Sequence, residues 1–156
     1  MLNFFEDTRE SYSPEASIDY STTDITNKDV TATVVLPKGC TIVGNDSHVF
    51  DSNGTFEFEF LDAENTKHTI EAKVDWIDKE APKARVEYDI EYWTSEKVTA
   101  TLVDVSEEVT FINGNSYTFE DNGTYTFEYE DKAGNKGSVT AEVNWISKSK
   151  PNEVDM

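Results

Sequence analysis

Cysteine is almost absent from this chain: Cys40 stands alone in 156 residues. No intramolecular disulfide can form, so the fold must rest on packing alone. That removes the disulfide-scaffold class without excluding secretion. Basic residues are scarce as well. Thirteen Lys and Arg against 32 Asp and Glu leave a formal net charge of -19, far beyond the magnitude of about 2–8 usual for a small domain. Such a field repels phosphate backbones and anionic membrane surfaces, which argues against nucleic acid and lipid headgroups as partners. It fits a solvated acidic coat. Long apolar runs are missing too, so no membrane insertion is expected. The opening residues Met1 to Asp7 lack the basic region and long apolar core of a signal peptide, so any export signal is expected outside this chain. No amphipathic helix of useful length can be read anywhere.

What is present is a repeat. Phe50-Asp51-Ser52-Asn53-Gly54-Thr55-Phe56-Glu57-Phe58 returns as Phe119-Glu120-Asp121-Asn122-Gly123-Thr124-Tyr125-Thr126-Phe127. Ala72-Lys73-Val74-Asp75-Trp76-Ile77 returns as Ala141-Glu142-Val143-Asn144-Trp145-Ile146. Ile18-Asp19-Tyr20 matches Val86-Glu87-Tyr88, and Pro14, Pro82 and Pro151 fall at matching places. One gap near Pro37 brings Ile42-Val43 onto Phe111-Ile112. The duplication predicts two domains in series, 14–81 and 82–150, with 1–13 and 151–156 as tails or fragments of neighbouring repeats. Each is near the lower size limit for a self-sufficient core. An aromatic content of 12% makes so small a core possible, because each ring buries a large apolar area. The link from Asp78 to Lys83 is short, charged and proline-bearing, which predicts a restricted joint.

The periodicity is that of strands. Phe56, Phe58 and Phe60 alternate with Glu57 and Glu59, and Tyr125, Phe127 and Tyr129 repeat the pattern. Ile70, Ala72, Val74 and Trp76, mirrored by Val139, Ala141, Val143 and Trp145, form a second stripe; Val30, Ala32, Val34 and Leu36 form a third. Alternation of this kind marks strands with one buried and one wet face. Turn signals at Asn53-Gly54, Asn122-Gly123, Asn113-Gly114 and Ala133-Gly134-Asn135 separate the runs. Short strands without helices imply an all-β, antiparallel β-sandwich of about seven strands per repeat. The Asn-Gly pairs are expected to take positive φ in tight turns. Asp131, Gly134 and Asn135 are expected to organise a hairpin loop; in the first copy, which lacks the glycine, Asn65 is expected in the left-handed region.

Several of these segments resemble bacterial immunoglobulin-like (Big-type) repeats: Tyr20 to Thr33, the Asn-Gly-Thr-aromatic runs after Phe50 and Phe119, Asp131 to Asn135, and the junction from Val74 to Pro82. The resemblance covers residues 14–150. It implies two tandem Ig-like antiparallel β-sandwich domains from a bacterial cell-surface or secreted protein, with an extracellular location. Relatives of this type lie in adhesins and beside catalytic domains of secreted glycan-degrading enzymes. The implied partners are neighbouring Ig-like repeats, or a host protein or glycan. The family carries no catalytic motif to transfer, and no isopeptide crosslink is expected, since Lys73, Asp75 and Asn144 read as outward-facing.

No catalytic, cofactor or metal residue can be assigned from the sequence, and no enzyme is expected. Trp76 and Trp145 share a stripe with core valines and read as core. Trp93, beside Tyr92, matches Ile25 and reads as an apolar plug at the end of the sandwich, with an exposed contact residue as the alternative. Cys40 matches Val109 and reads as a small buried hydrophobe. His48 matches Tyr117 and His68 matches Gly137, so neither position asks for imidazole in both copies. Calcium is the one cofactor to weigh. Asp62 and Glu64, or Asp131 near Asp78, offer oxygen ligands, but no dense Asp-x-Asp-x-Asp loop is present, and turn-forming aspartates are the favoured reading. The expected function is a non-catalytic spacer or stalk, with an adhesion module and a calcium-stiffened joint as alternatives.

Overall fold

A computed structural model describes residues 15–148; the two expected tails lie outside them. The described residues are all-β, and the chain divides into two compact units between Asp78 and Lys79.

Unit 1 contains β1 (Ser17–Tyr20), β2 (Val30–Val35), β3 (Thr41–Val43), β4 (Ser47–Phe50), β5 (Gly54–Leu61) and β6 (Lys67–Val74). Two antiparallel three-stranded sheets, ordered β1-β2-β4 and β3-β5-β6, form the layers. Unit 2 repeats the plan with β7 (Arg85–Tyr88), β8 (Val98–Val103), β9 (Val109–Phe111), β10 (Ser116–Phe119), β11 (Gly123–Asp131) and β12 (Lys136–Val143). Its sheets are ordered β7-β8-β10 and β9-β11-β12. Six strands thus stand among the described residues of each unit, where about seven were expected. Thr26 and Thr94 supply only single parallel bridges, to Ile77 and Ile146.

The stripes read from the sequence fill the space between the sheets. In unit 1, Val30, Ala32 and Val34 of β2 face Phe58 of β5 and Ala72 and Val74 of β6. In unit 2, Val98, Ala100 and Leu102 meet Phe127, Tyr129, Ala141 and Val143. Side chains of opposite sheets pack as the layers of a sandwich do.

Each sandwich is also tied by long-range polar contacts. The Tyr20 hydroxyl accepts from the Lys73 N–H at 3.0 Å, and the Trp76 indole donates to the Thr22 carbonyl at 2.9 Å. Their rings meet edge-on at 5.1 Å. Unit 2 repeats this with Tyr88, Glu142, Trp145 and Ile90. The two tryptophans are therefore half-buried at the core's edge, where the N–H can find a carbonyl; Ile77 and Ile146 take the buried place beside them.

The Asn-Gly pairs work differently from the expectation. Neither Gly54 nor Gly123 has positive φ. The Asn53 amide instead clamps the Ile77 backbone, accepting from its N–H at 2.8 Å and donating to its carbonyl at 3.0 Å. Asn122 does the same to Ile146. The asparagine thus supplies hydrogen bonds for a chain end 24 residues away. Positive φ falls at Gly114 and Gly134, and at Asn65, whose φ of 66° substitutes for the missing glycine as expected.

The outer face of β5 and β6 carries a conflict. Glu57 lies directly opposite Glu71, whereas unit 2 places Thr126 opposite Thr140 with the hydroxyls 2.8 Å apart. Like charges directly opposed across a strand pair destabilise it. Glu71→Thr is therefore expected to stabilise unit 1 by about 0.5 kcal/mol. The gain, read from the urea midpoint, should shrink in roughly 0.5 M salt as screening weakens the repulsion it relieves.

Candidate functional site

Residues with chemical potential fall in three places. The first is the loop between β7 and β8. Tyr92 and Trp93 are each 71% exposed there, so Trp93 is not the plug that its match to Ile25 suggested; Ile25 is itself exposed. The adjoining backbone explains it. Thr94 donates to the Trp145 carbonyl at 3.1 Å and accepts from the Ser147 N–H at 2.8 Å. That bridge draws Thr94 against the sandwich, half-buried, and leaves the side chains of Tyr92 and Trp93 ahead of it in solvent. The result is an indole and a phenol on a loop that also carries Asp89, Glu91 and Glu96.

The second is a chain of rings where the two sheet edges of each unit approach. In unit 1, His48 of β4 stacks on Phe56 of β5 with centroids 4.0 Å apart, flanked edge-on by Phe50 and Phe58. In unit 2, Tyr117 stacks on Tyr125 at 4.0 Å between Phe119 and Phe127. Phe56, expected in the core stripe, is 36% exposed: it closes the sandwich's side and leaves one flank in water. His48 is thus a ring in an aromatic stack, and its match to tyrosine follows from that. The stack borders a groove of about 370 Å³ in unit 1.

The third is the hairpin loop after β5 and β11. Asp131 is buried. Its Oδ1 accepts from the N–H groups of Ala133 at 2.9 Å and Asn135 at 2.8 Å, and its Oδ2 from the Asn135 amide at 3.0 Å. Burial pushes this carboxyl up. The hydrogen bonds from Asn135, side chain and backbone, and from the Ala133 and Gly134 N–H groups outweigh that and hold it below the usual aspartate range. Asp62 holds the corresponding pattern of unit 1: it accepts from the Glu64 and Thr66 N–H groups at 2.8 and 2.9 Å, and its other oxygen meets His68 Nε2 at 2.9 Å. The hydrogen bond from His68 is the main reason its carboxyl lies below the ordinary range. The His68–Asp62 pair was not legible in the sequence; the six-residue spacing across a hairpin was the available signal. Both aspartates thus organise their own loops, the turn-forming role.

A pH effect follows from Asp131. A carboxyl with a lowered folded pKa contributes stability that is complete above its unfolded value, about 3.9, and is lost as the pH falls through the folded value. Asp131→Asn is expected to cost unit 2 about 1 kcal/mol at neutral pH, the difference between charged and neutral acceptors. The gap between the urea midpoints of the two proteins should narrow as the pH is taken below the ordinary aspartate range.

The remaining candidates stand apart. Cys40 lies in the turn ahead of β3, its N–H donating to the Pro37 carbonyl at 3.2 Å. It is half-buried rather than buried, because β3 is a short edge strand that covers little. Among the described residues, neither imidazole shares a hydrogen bond with it: His48 is held by Phe56 and His68 by Asp62. Lys73, Asp75 and Asn144 are exposed. No protein-family model matches this chain, and no curated protein matches it.

Proposed function

We propose that this chain is a non-catalytic spacer: two tandem Ig-like sandwiches, of the bacterial Big type, that position other domains of a cell-surface or secreted protein. One observation carries the reading. The features held in both copies are those that build and close a sandwich, namely the Tyr–Trp ties, the asparagine clamps and the four-ring stacks. The chemically able groups, the Cys40 thiol, the His48 and His68 imidazoles and the Trp93 indole, are each replaced by a different residue in the other copy. A duplicated catalytic site would preserve its reactive groups. The acidic surface favours solubility of such a module.

A spacer holds its ends at a defined separation. Donor and acceptor dyes on cysteines introduced at Glu15 and Lys148, with Cys40→Val, are expected to give one narrow single-molecule transfer distribution. A broad distribution like that of a flexible coil removes the spacer reading.

An adhesion module for a host protein or glycan is the second reading, favoured by the exposure of Tyr92 and Trp93. Indole faces stack on sugars, and exposed aromatics anchor protein interfaces. It requires glycan or protein binding by the intact chain that Trp93→Ala abolishes. A calcium-stiffened joint is the third. Glu107 and Asp131 bring carboxylate oxygens within 4.8 Å of one another, and a hard cation accepts such ligands. A metal bound only by the folded state raises the melting temperature, so this reading requires excess EDTA to lower it.

A further inference from the structure

The two units differ at one edge of the β3–β5 sheet and its counterpart. In unit 1, β3 pairs with β5 only over Thr41–Val43 against Glu59–Leu61, yet β5 begins at Gly54. From Thr55 to Phe58, β5 has β6 on one side and, among the described residues, no strand on the other. The corresponding stretch of β11 also runs past the end of β9. There, however, a side chain takes the place of the missing strand. Asn113 donates from Nδ2 to the Thr126 carbonyl at 2.9 Å and accepts at Oδ1 from the Glu128 N–H at 2.9 Å. The Tyr125 hydroxyl fixes this cap by donating to the Asn113 carbonyl at 2.8 Å.

Unit 1 lacks both parts of the cap. Gly44 stands where unit 2 has Asn113, and Phe56 stands for Tyr125. Gly44 has a φ of 89°, and it lines, with His48, Phe56 and Glu57, the groove that takes the place of the cap. In an antiparallel strand, alternate residues direct both N–H and C=O to the same edge. Thr126 and Glu128 face Asn113, so their counterparts Glu57 and Glu59 face the same way in unit 1. Glu59 lies opposite Val43; the backbone of Glu57 faces an open groove of about 370 Å³. Unpaired edge groups of this kind are a template for another strand.

The groove also specifies what fits. Its inner side is apolar at Phe56, which is 36% exposed with His48 stacked on it; Val43, directly opposite Glu59, belongs to the outer side. Its outer side carries Glu57 and Glu59, with Glu71 directly across from Glu57. A second copy of this chain, at a net charge of -19, is repelled. An added strand would place alternate side chains on these two sides. We propose that the open edge of β5 in unit 1 binds an extended basic segment of a partner protein by strand addition, antiparallel to β5 and continuing the β3 ladder. Its inward residues, apolar, would lie against Phe56, and its outward residues, Lys or Arg, beside Glu57 and Glu59.

The test uses the full chain and an acetylated, amidated peptide alternating valine and lysine, followed by backbone amide shifts. Saturable shifts confined to the backbone of 43–48 and 55–59 are expected. Methylating the alternate peptide N–H groups that face β5 should weaken binding about tenfold, the loss of one to two hydrogen bonds. Glu57→Thr, which installs the residue of unit 2, should weaken it several-fold and more at low salt. Gly44→Asn with Asn45→Gly and Phe56→Tyr, which moves the positive-φ glycine to the place Gly114 has in unit 2, rebuilds the cap and should abolish it; Glu57→Thr decides the matter should that variant fail to fold. The proposal is overturned by the absence of saturable shifts, by shifts scattered over the acidic surface, or by equal binding of the methylated peptide. Concentration-dependent shifts at the same amides without peptide would overturn it too, by assigning the edge to a second copy.

Discussion

Replacing Phe127 by alanine is expected to destabilise unit 2 by about 3–5 kcal/mol, enough to leave that unit largely unfolded at room temperature. Phe127 is fully buried between the sheets. It joins Val98, Ala100 and Leu102 of one sheet to Ala141 and Val143 of the other, and its ring meets Tyr125 edge-on at 4.9 Å. Truncation loses the transfer free energy of the ring and leaves a cavity that two hydrogen-bonded sheets cannot close. A sandwich this small has no second core to absorb the loss, and no disulfide to restrain the unfolded chain. Collapse of amide dispersion for residues 85–143, read by NMR, checks it. Phe58→Ala should do the same to residues 17–74, since Phe58 holds the equivalent place. Val49→Ala is the control. Val49 is 55% exposed, and its loss should stay within about 0.5 kcal/mol.

Gly137→Ala is expected to destabilise unit 2 by about 2–3 kcal/mol, a large effect for one methyl group. A Cβ at Gly137 would stand 2.5 Å from the Pro82 carbonyl oxygen and 2.6 Å from the Tyr129 ring. Neither neighbour can yield cheaply. The first is backbone, in a strap also held by reciprocal bonds of 2.8 Å between Lys83 and Ser106. The second is a buried ring whose phenol takes a hydrogen bond from the Ala84 backbone. Burial raises the pKa of that phenol, and the Ala84 bond opposes it, so displacing the ring would strand a polar group. The glycine has no positive φ; the cost is steric. Urea unfolding gives the magnitude, and faster hydrogen exchange at Ala84 and Ser106 locates it. The reciprocal change, His68→Gly, should cost less than Gly137→Ala, because it gives up a partly exposed pair with Asp62 and a stack on Phe60 at 5.4 Å and adds glycine's backbone freedom within β6, with no steric clash.

These two positions mark what a tandem repeat tells a reader. Alternation along Phe56–Phe60 and Tyr125–Tyr129 located β5 and β11, and the matched segments located their partners. Asn65 was assigned its left-handed backbone, and Asp131 with Asn135 its loop, because turn chemistry acts over four or five residues. The errors lie where a partner comes from elsewhere in the chain. Asn53 and Asn122 looked like turn formers, and they are clamps on residues 24 positions away. Tyr20 and Tyr88 matched without an evident reason until they met backbone amides on the far sheet. Trp93 was read as a plug because Ile25 fits that role; a backbone bridge at Thr94 leaves it in solvent.

The sequence alone determined the all-β class, the strand pattern, the faces that pack and the acidic exterior, because period-two alternation and charge are properties of neighbours in the chain. Only the tertiary structure decided that the edge of β5 is open while that of β11 is capped by Asn113. It also decided that Gly137 admits Pro82 where unit 1 carries an imidazole. A local pattern says to which side of its own strand a residue points. Which group waits there is fixed when the sheets close, and two copies with the same pattern then differ wherever one side chain replaces a missing strand.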